Sequence, residues 1–411
     1  MVVGNDGRGS ANIADLASQV AERGIGNNVA YLVGFSPVRE SVLAKDNRAP
    51  DTAELAAMET KVETAMCEGA WGFSTGLYYV PQAYSQTSEV IALAKIAARH
   101  GGYYDTHLRD ESTYNITVTG AVNEAIEIGR EANLPVHIAH IKALGPAVWG
   151  HSAKMIDAIE KAQAGGLRVT ADQYPWTASG TRFSNALVPR SALEGGLDGL
   201  RQRLADPAQK AAIRAKMIEA IARRGGAEKL LVTGLLGNAD IPVGKTLAEL
   251  AVIQRVEPVD AALATLEMGD ARIASFNMNP DDISAFAKQD WVITGSDGSN
   301  GHPRKYGSFP KAYQDLVQGE AGMSMARFIQ RSSSQAAEII GLPNRGYLRE
   351  GYAADIVIFD PDNFAPTATY QSPRELSNGV RHLFVNGVPV IRDGTYTKAL
   401  PGEALLKDTE C

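Results

Sequence analysis

Gly102-Tyr103-Tyr104-Asp105-Thr106-His107, the helically spaced segment from Val118 to Ala132, and Pro135-Val136-His137-Ile138-Ala139-His140-Ile141 decide the fold between them. An apolar run, an amphipathic segment and a second apolar run describe a strand, a crossover helix and a parallel strand covered by helices. The pattern repeats on both sides. Helical spacing appears in 11–23, 52–68, 88–100, 152–164 and a long 195–225 stretch. Short apolar runs lie at 28–33, 71–75, 167–173, 230–233, 271–275 and 291–296. About eight such runs point to an α/β chain folded as a TIM-like β/α barrel, with a doubly wound open sheet as the alternative. No strand-linked GxGxxG is present, which weighs against the nucleotide-binding form of that alternative.

From Arg345 the texture changes to strands and turns, with Ala354 to Asp360 and His382 to Ile391 as apolar runs and Asn386-Gly387 as a hairpin signal. Residues 1–344 are therefore assigned to the barrel and 345–411 to strands of a small β-sandwich portion. At the other end, Met1-Val2-Val3-Gly4-Asn5-Asp6-Gly7 reads as the second half of a buried strand with nothing before it. The barrel is expected to be N-terminally incomplete as it stands, with the natural start upstream of Met1. An intact mass of natively expressed protein equal to that of 411 residues would contradict this.

Apolar residues make up 45% and charged residues 21% of the chain, the balance of a globular protein and not of a disordered one. Lys+Arg 40 against Asp+Glu 47 leaves a net charge of -7, so no overall basic footprint exists for nucleic acid or an anionic membrane. A small-molecule partner is expected, and the composition is compatible with a homo-oligomer. No apolar run approaches the roughly 18 residues of a membrane span, and the N-terminus lacks a signal-peptide profile. With only Cys67 and Cys411, neither a disulfide framework nor a cysteine-based zinc site is expected, and a cytoplasmic location is the default.

Chemistry in a β/α barrel gathers at the C-terminal ends of the strands, and the runs close on Asp6, His107, His140, Asp172 and Asp297. Imidazoles and carboxylates brought from different strands to one mouth suit a hydrolytic zinc site with three protein ligands and an open position. Position favours His107, His140 and Asp297. His137 and His140, three apart, point to opposite faces of a continuous strand, and His137 is expected to be the structural one. His100, before Gly101-Gly102, reads as a partner for a helix C-terminus. Asp172 is a candidate acceptor for a ligand histidine.

Lys142 and Arg304 put two cations near the same mouth and suggest a carboxylate-bearing substrate. The plainer reading of Lys142 is an ion pair with a nearby acid. Loops carrying Tyr78-Tyr79 and Tyr174-Pro-Trp-Thr-Ala-Ser179 offer hydroxyls and aromatic faces to a polar ligand.

The run Gly69 to Pro81, the Thr106-His107-Leu-Arg-Asp-Glu111 block, His140-Ile-Lys142, Asp172-Gln-Tyr-Pro-Trp176, Ser296-Asp297-Gly with His302-Pro303-Arg304, and Arg345 to Val357 keep a characteristic order. In this the chain resembles the N-acyl-D-amino-acid deacylases of the metal-dependent amidohydrolase superfamily. The resemblance spans nearly the whole sequence. It implies hydrolysis of an N-acyl-D-amino acid to a carboxylate and a D-amino acid, on a barrel with a small sandwich built from both chain ends.

The resemblance also implies that His107 and His140 ligate zinc, as one or two divalent ions, while Asp297 moves a proton from the metal-activated water to the leaving amine. Lys142, Tyr79, Ser179, Tyr174 and Arg304 match positions expected to bind substrate. Three departures stand out. The upstream His-x-His strand of the family is not in this sequence. Asp6 stands where the family usually has a cysteine ligand, and this harder donor widens metal preference toward other divalent ions. Phe35 replaces the histidine of an expected Gly-His-x-x-x-Arg pattern.

Two alternatives remain open. One is a cyclic amidase of the hydantoinase or dihydroorotase kind, whose usual bridging lysine has no strand-terminal counterpart here. The other is a catalytically inactive small-molecule-binding remnant.

Overall fold

The computed structural model describes residues 1–411. The parallel strands are β1 (Val2–Val3), β2 (Val29–Tyr31), β3 (Val33–Gly34), β4 (Gly72–Gly76), β5 (Tyr103–His107), β6 (Val136–Ile138) and β7 (Val169–Gln173). Then come β8 (Ser179–Arg182), β9 (Leu230–Gly237), β10 (Gly269–Ser275) and β11 (Val292–Thr294), and after them β12 (Ile356–Phe359), β13 (Val380–Val385), β14 (Val388–Arg392), β15 (Thr395–Tyr396) and β16 (Ala404–Leu405).

A six-stranded parallel sheet runs β11-β7-β6-β5-β4-β3, and β1 continues it beyond β2. The helices Thr52–Cys67, Thr87–Arg99, Val118–Ala132 and Ser152–Ala164 lie between successive strands. Their buried residues join Phe73, Tyr104, Val136, Ile138, Val169 and Ala171 in one apolar core of 41 residues. The sheet curls, so that side chains just past its two edge strands, Asp6 after β1 and Asp297 after β11, both face His140. This is the β/α barrel architecture that the alternation predicts.

Two of the runs read as barrel strands are not part of it. Leu230 to Thr233 and Ala271 to Ser275 fall in β9 and β10, which pair antiparallel with each other and with β8. The predicted 195–225 helix is broken in two, Gly196–Leu204 and Pro207–Arg223, because Asp206 caps the second helix and Pro207 fits only its first turn. These helices and strands share a second core of 26 residues, so the excursion between β7 and β11 has an interior of its own.

At the C-terminal end, β12 to β15 form an antiparallel sheet with Asn386-Gly387 turning β13 into β14. No strand from the chain's start enters this sheet. Instead β16 pairs in parallel with β2, and the tail runs on until Cys411 reaches Cys67. The structure joins the two as a disulfide, against the expectation that the cysteines stay unpaired.

Candidate metal centre and substrate pocket

Local backbone geometry aims the site. Asp6, His140 and Asp297 have φ of 59°, 39° and 42°, a left-handed conformation that costs a residue with a side chain about 1 kcal/mol or more. Each closes a barrel strand and turns its side chain across the mouth.

Asp6 Oδ1 lies 3.1 Å from His140 Nε2 and 3.7 Å from His107 Nδ1, and the two imidazole nitrogens are 2.9 Å apart. Three donor atoms from the ends of β1, β5 and β6 thus gather within 4.8 Å of one another. Two imidazoles and a carboxylate with this convergence fit a divalent cation such as zinc. Behind them, the Glu111 carboxylate stands within ion-pairing range of both rings, Oε1 3.4 Å from His140 Nδ1 and Oε2 3.6 Å from His107 Nε2, without hydrogen-bonding the latter.

The charges are strongly coupled. Burial would raise Asp6, but the facing His140 and His107 outweigh it and hold the carboxyl well below the usual range. Burial pushes His107 down to about 3, which leaves it neutral with a lone pair to donate. Burial and Lys142 act to lower His140, yet Asp297 and Asp6 prevail and raise it to about 10.

Tyr79, His107, Lys142, Tyr174, Ser179, Asp297 and Arg304 line one pocket, so the predicted substrate-binding positions, drawn from 79 to 304, come together. Asp6 and His140 adjoin that pocket through His107. Lys142 is buried and donates to Glu111 and to the His140 carbonyl, so the ion-pair reading of this lysine also holds. Arg304 Nη1 sits 2.7 Å from Asp297 Oδ2, and its guanidinium lies 4.6 Å over the Tyr174 ring. Burial raises Asp297 against the pull of that arginine and of His140. The Tyr174 hydroxyl and His107 Nε2 are buried without a hydrogen-bond partner, and Ser179 Oγ donates to Asn277 Oδ1 at 3.2 Å.

Two expectations need correcting. His137 and His140 do not diverge by strand alternation, because β6 ends at Ile138 and the left-handed turn resets the direction of His140. His137 points to the same interior as Asp105 and Asp172, where it bonds Thr170 Oγ1 at 2.9 Å and Asp172 Oδ2 at 3.1 Å. It remains apart from the Asp6, His107 and His140 cluster. Asp172 consequently bonds the ring of His137, and it meets the candidate ligand His140 at its backbone rather than its imidazole.

Sequence reasoning assigned no role to Glu111 or Arg224, which also line the pocket. For Glu111 a signal existed, four residues after His107. Arg224 comes from the end of the Pro207–Arg223 helix and bonds the Tyr78 hydroxyl at 3.3 Å. No local pattern marks it.

Residues 27–391 match the model of the amidohydrolase family. The chain belongs to that family, and within it to the N-acyl-D-amino-acid deacylases. A D-aminoacylase of Alcaligenes xylosoxydans xylosoxydans is 30% identical over 384 residues, 92% of this chain and 70% of the relative. An N-acyl-D-aspartate deacylase of the same organism is 32% identical over 401 residues, 96% of this chain and 72% of the relative. Among solved structures, N-acyl-D-glutamate deacylase from Bordetella bronchiseptica, complexed with zinc and a phosphonate inhibitor, superposes with a TM-score of 0.81 at 27% identity, covering 98% of this chain and 82% of that one. A D-hydantoinase structure at 11% identity and a TM-score of 0.52 shares the fold.

Proposed function

We infer that this chain hydrolyses the amide bond of N-acyl-D-amino acids, releasing a carboxylate and a D-amino acid. The observation that carries the reading is the meeting of Asp6, His107 and His140 with Asp297, Lys142 and Arg304 around one pocket. The relatives named for D-aminoacylase and N-acyl-D-amino-acid deacylase activity support it. In this reading residues 1–344 carry the catalysis and 345–411 brace the barrel.

Asp6, His107 and His140 would hold a divalent ion, zinc as in the solved relative. Such an ion supplies Lewis acidity, which acidifies water and polarises an amide carbonyl. Asp297 is the general base: it takes a proton from the attacking water and returns it to the departing amine nitrogen. Its raised pKa suits both transfers. Arg304 and Lys142 bind the substrate carboxylate, and Tyr79, Tyr174 and Ser179 fix its orientation through hydroxyls. Because Arg304 contacts Asp297 directly, filling the carboxylate position also frames the base.

Hydrolysis of N-acetyl-D- and N-acetyl-L-amino acids by protein dialysed against a chelator and then resupplied with zinc tests this. Restored activity confined to the D series is expected. Hydrolysis of the L series alone, or activity that ignores the chelator, would overturn the reading. A cytoplasmic setting belongs to the proposal too, and because a reducing compartment would open the disulfide of Cys67 and Cys411 that the structure shows, thiol counts on protein quenched directly from cells test it: an intact bond there would overturn that setting.

A further inference from the structure

The outer wall of the pocket is the antiparallel sheet of β8, β10 and β9, and on it Arg182 and Arg272 stand directly opposite each other. Like charges in that arrangement destabilise a sheet. No carboxylate relieves them by direct contact, since Asp270, the acid on β10, is engaged by the Ser184 hydroxyl and the amides of Ser184 and Ala271. Strand alternation puts Arg182 on the same face as Gly180. That face meets the substrate pocket at Gly180, which lines it and where a Cβ would lie 3.0 Å from Arg304 Nη2; Arg182 and Arg272 stand just beyond the lining.

A third cation approaches from the barrel side. Arg8, two residues past Asp6, lies 4.9 Å over the Tyr79 ring, which itself packs 4.7 Å from the His107 ring. Burial, with the Arg182 and Arg8 charges added, pushes the Arg272 guanidinium down, against a weaker opposing pull from Asp270. In a chain of net charge -7, three neighbouring arginines without a carboxylate contact call for an anion from outside.

We propose that Arg182, Arg272 and Arg8 form a second anion subsite, so that the substrate carries a carboxylate in addition to the one bound by Arg304 and Lys142. This deepens the deacylase reading and rests on it. Guanidinium groups suit the task because each can grip a carboxylate with two parallel bonds. The further carboxylate sits either on the amino-acid side chain or at the far end of the acyl group.

The test compares kcat/KM for N-acetyl-D-glutamate, N-succinyl-D-leucine and N-acetyl-D-leucine in wild type, Arg182→Gln, Arg272→Gln and Arg8→Gln, with binding of glutarate followed by calorimetry. The wild type is expected to prefer a doubly anionic substrate. That preference ratio should fall at least tenfold in Arg182→Gln and in Arg272→Gln, with glutarate binding weakened alongside. The glutamyl and succinyl arms tell which end of the substrate bears the second charge.

A ratio and a glutarate affinity unchanged in all three variants would overturn the subsite. If Arg272→Gln fails to fold, Arg182→Gln and the exposed Arg8→Gln still decide. Absence of hydrolysis for every amide would instead strike the deacylase reading, while glutarate binding to wild type and variants would continue to decide the subsite by itself.

Discussion

The two walls of the pocket are built on different principles. The inner wall is the rim of the barrel, where Asp6, His107, His140 and Asp297 each close a parallel strand. The outer wall belongs to an antiparallel sheet within an excursion that has its own core of 26 residues; it presents Ser179, Gly180 and Thr181 to the pocket, with the opposed Arg182 and Arg272 just beyond that lining. In the proposed reading, chemistry sits on the wall built from the ends of the parallel barrel strands, and substrate selection falls to the wall that is an insertion. A family can alter the second without disturbing the first.

That division breaks most visibly if a change on the inner wall spares turnover. Asp297→Asn keeps the shape and loses the base, so kcat should drop by about 10³-fold while metal content is retained; a loss below tenfold would remove Asp297 from the chemistry. Lys142→Met comes next, with kcat/KM reduced roughly 10- to 100-fold for lost charge-assisted bonds. Its double pairing with Glu111 and the His140 carbonyl means that part of this effect should appear as weaker metal binding.

Gly76→Ala sharpens the comparison through the backbone. A Cβ there would lie 2.4 Å from the Asp6 carbonyl oxygen, so zinc affinity should fall although no ligand is changed, and competition with a chromogenic chelator would measure it.

A change outside both walls should affect stability alone. Cys411→Ser releases the tail from Cys67, which lies 344 residues earlier. The melting temperature is expected to drop on the order of 5 °C with D-substrate activity kept. The smallest expected effect lies within the excursion. Burial raises Asp270 above its ordinary 3.8, so the folded state holds this proton to higher pH than the unfolded state does. The stability it contributes is full below about pH 4 and declines as pH rises through the folded value. Asp270→Asn should flatten that slope in denaturant titrations taken across the acid range.

The inner wall was legible in the sequence because strand ends are local events. An apolar run closing on His107 or Asp297 announces both the strand and the position of its last side chain, and the resemblance to the deacylases supplied roles for them. His140 was legible as a candidate, but not the turn that aims it, since a left-handed residue at the end of a three-residue strand leaves no periodic trace. The outer wall was less accessible. Its runs at 230 and 271 read as strands, yet a short apolar run does not say which sheet it joins or in which direction. The opposition of Arg182 to Arg272 depends on an antiparallel register between segments about 90 residues apart, and such pairings carry no local pattern. The joining of Cys67 and Cys411 escaped for the same reason: two cysteines this far apart in the chain become neighbours only after β16 pairs with β2.

The central claim is that Asp6, His107 and His140 hold the metal on which amide hydrolysis depends. Elemental analysis of purified wild type, Asp6→Ala and His140→Ala, with an N-acetyl-D-amino-acid assay on the same samples, tests it most directly. The account predicts near-stoichiometric divalent metal and activity in the wild type, with both lost together in each variant. Full metal content in either variant, or hydrolysis that persists without metal, would contradict it.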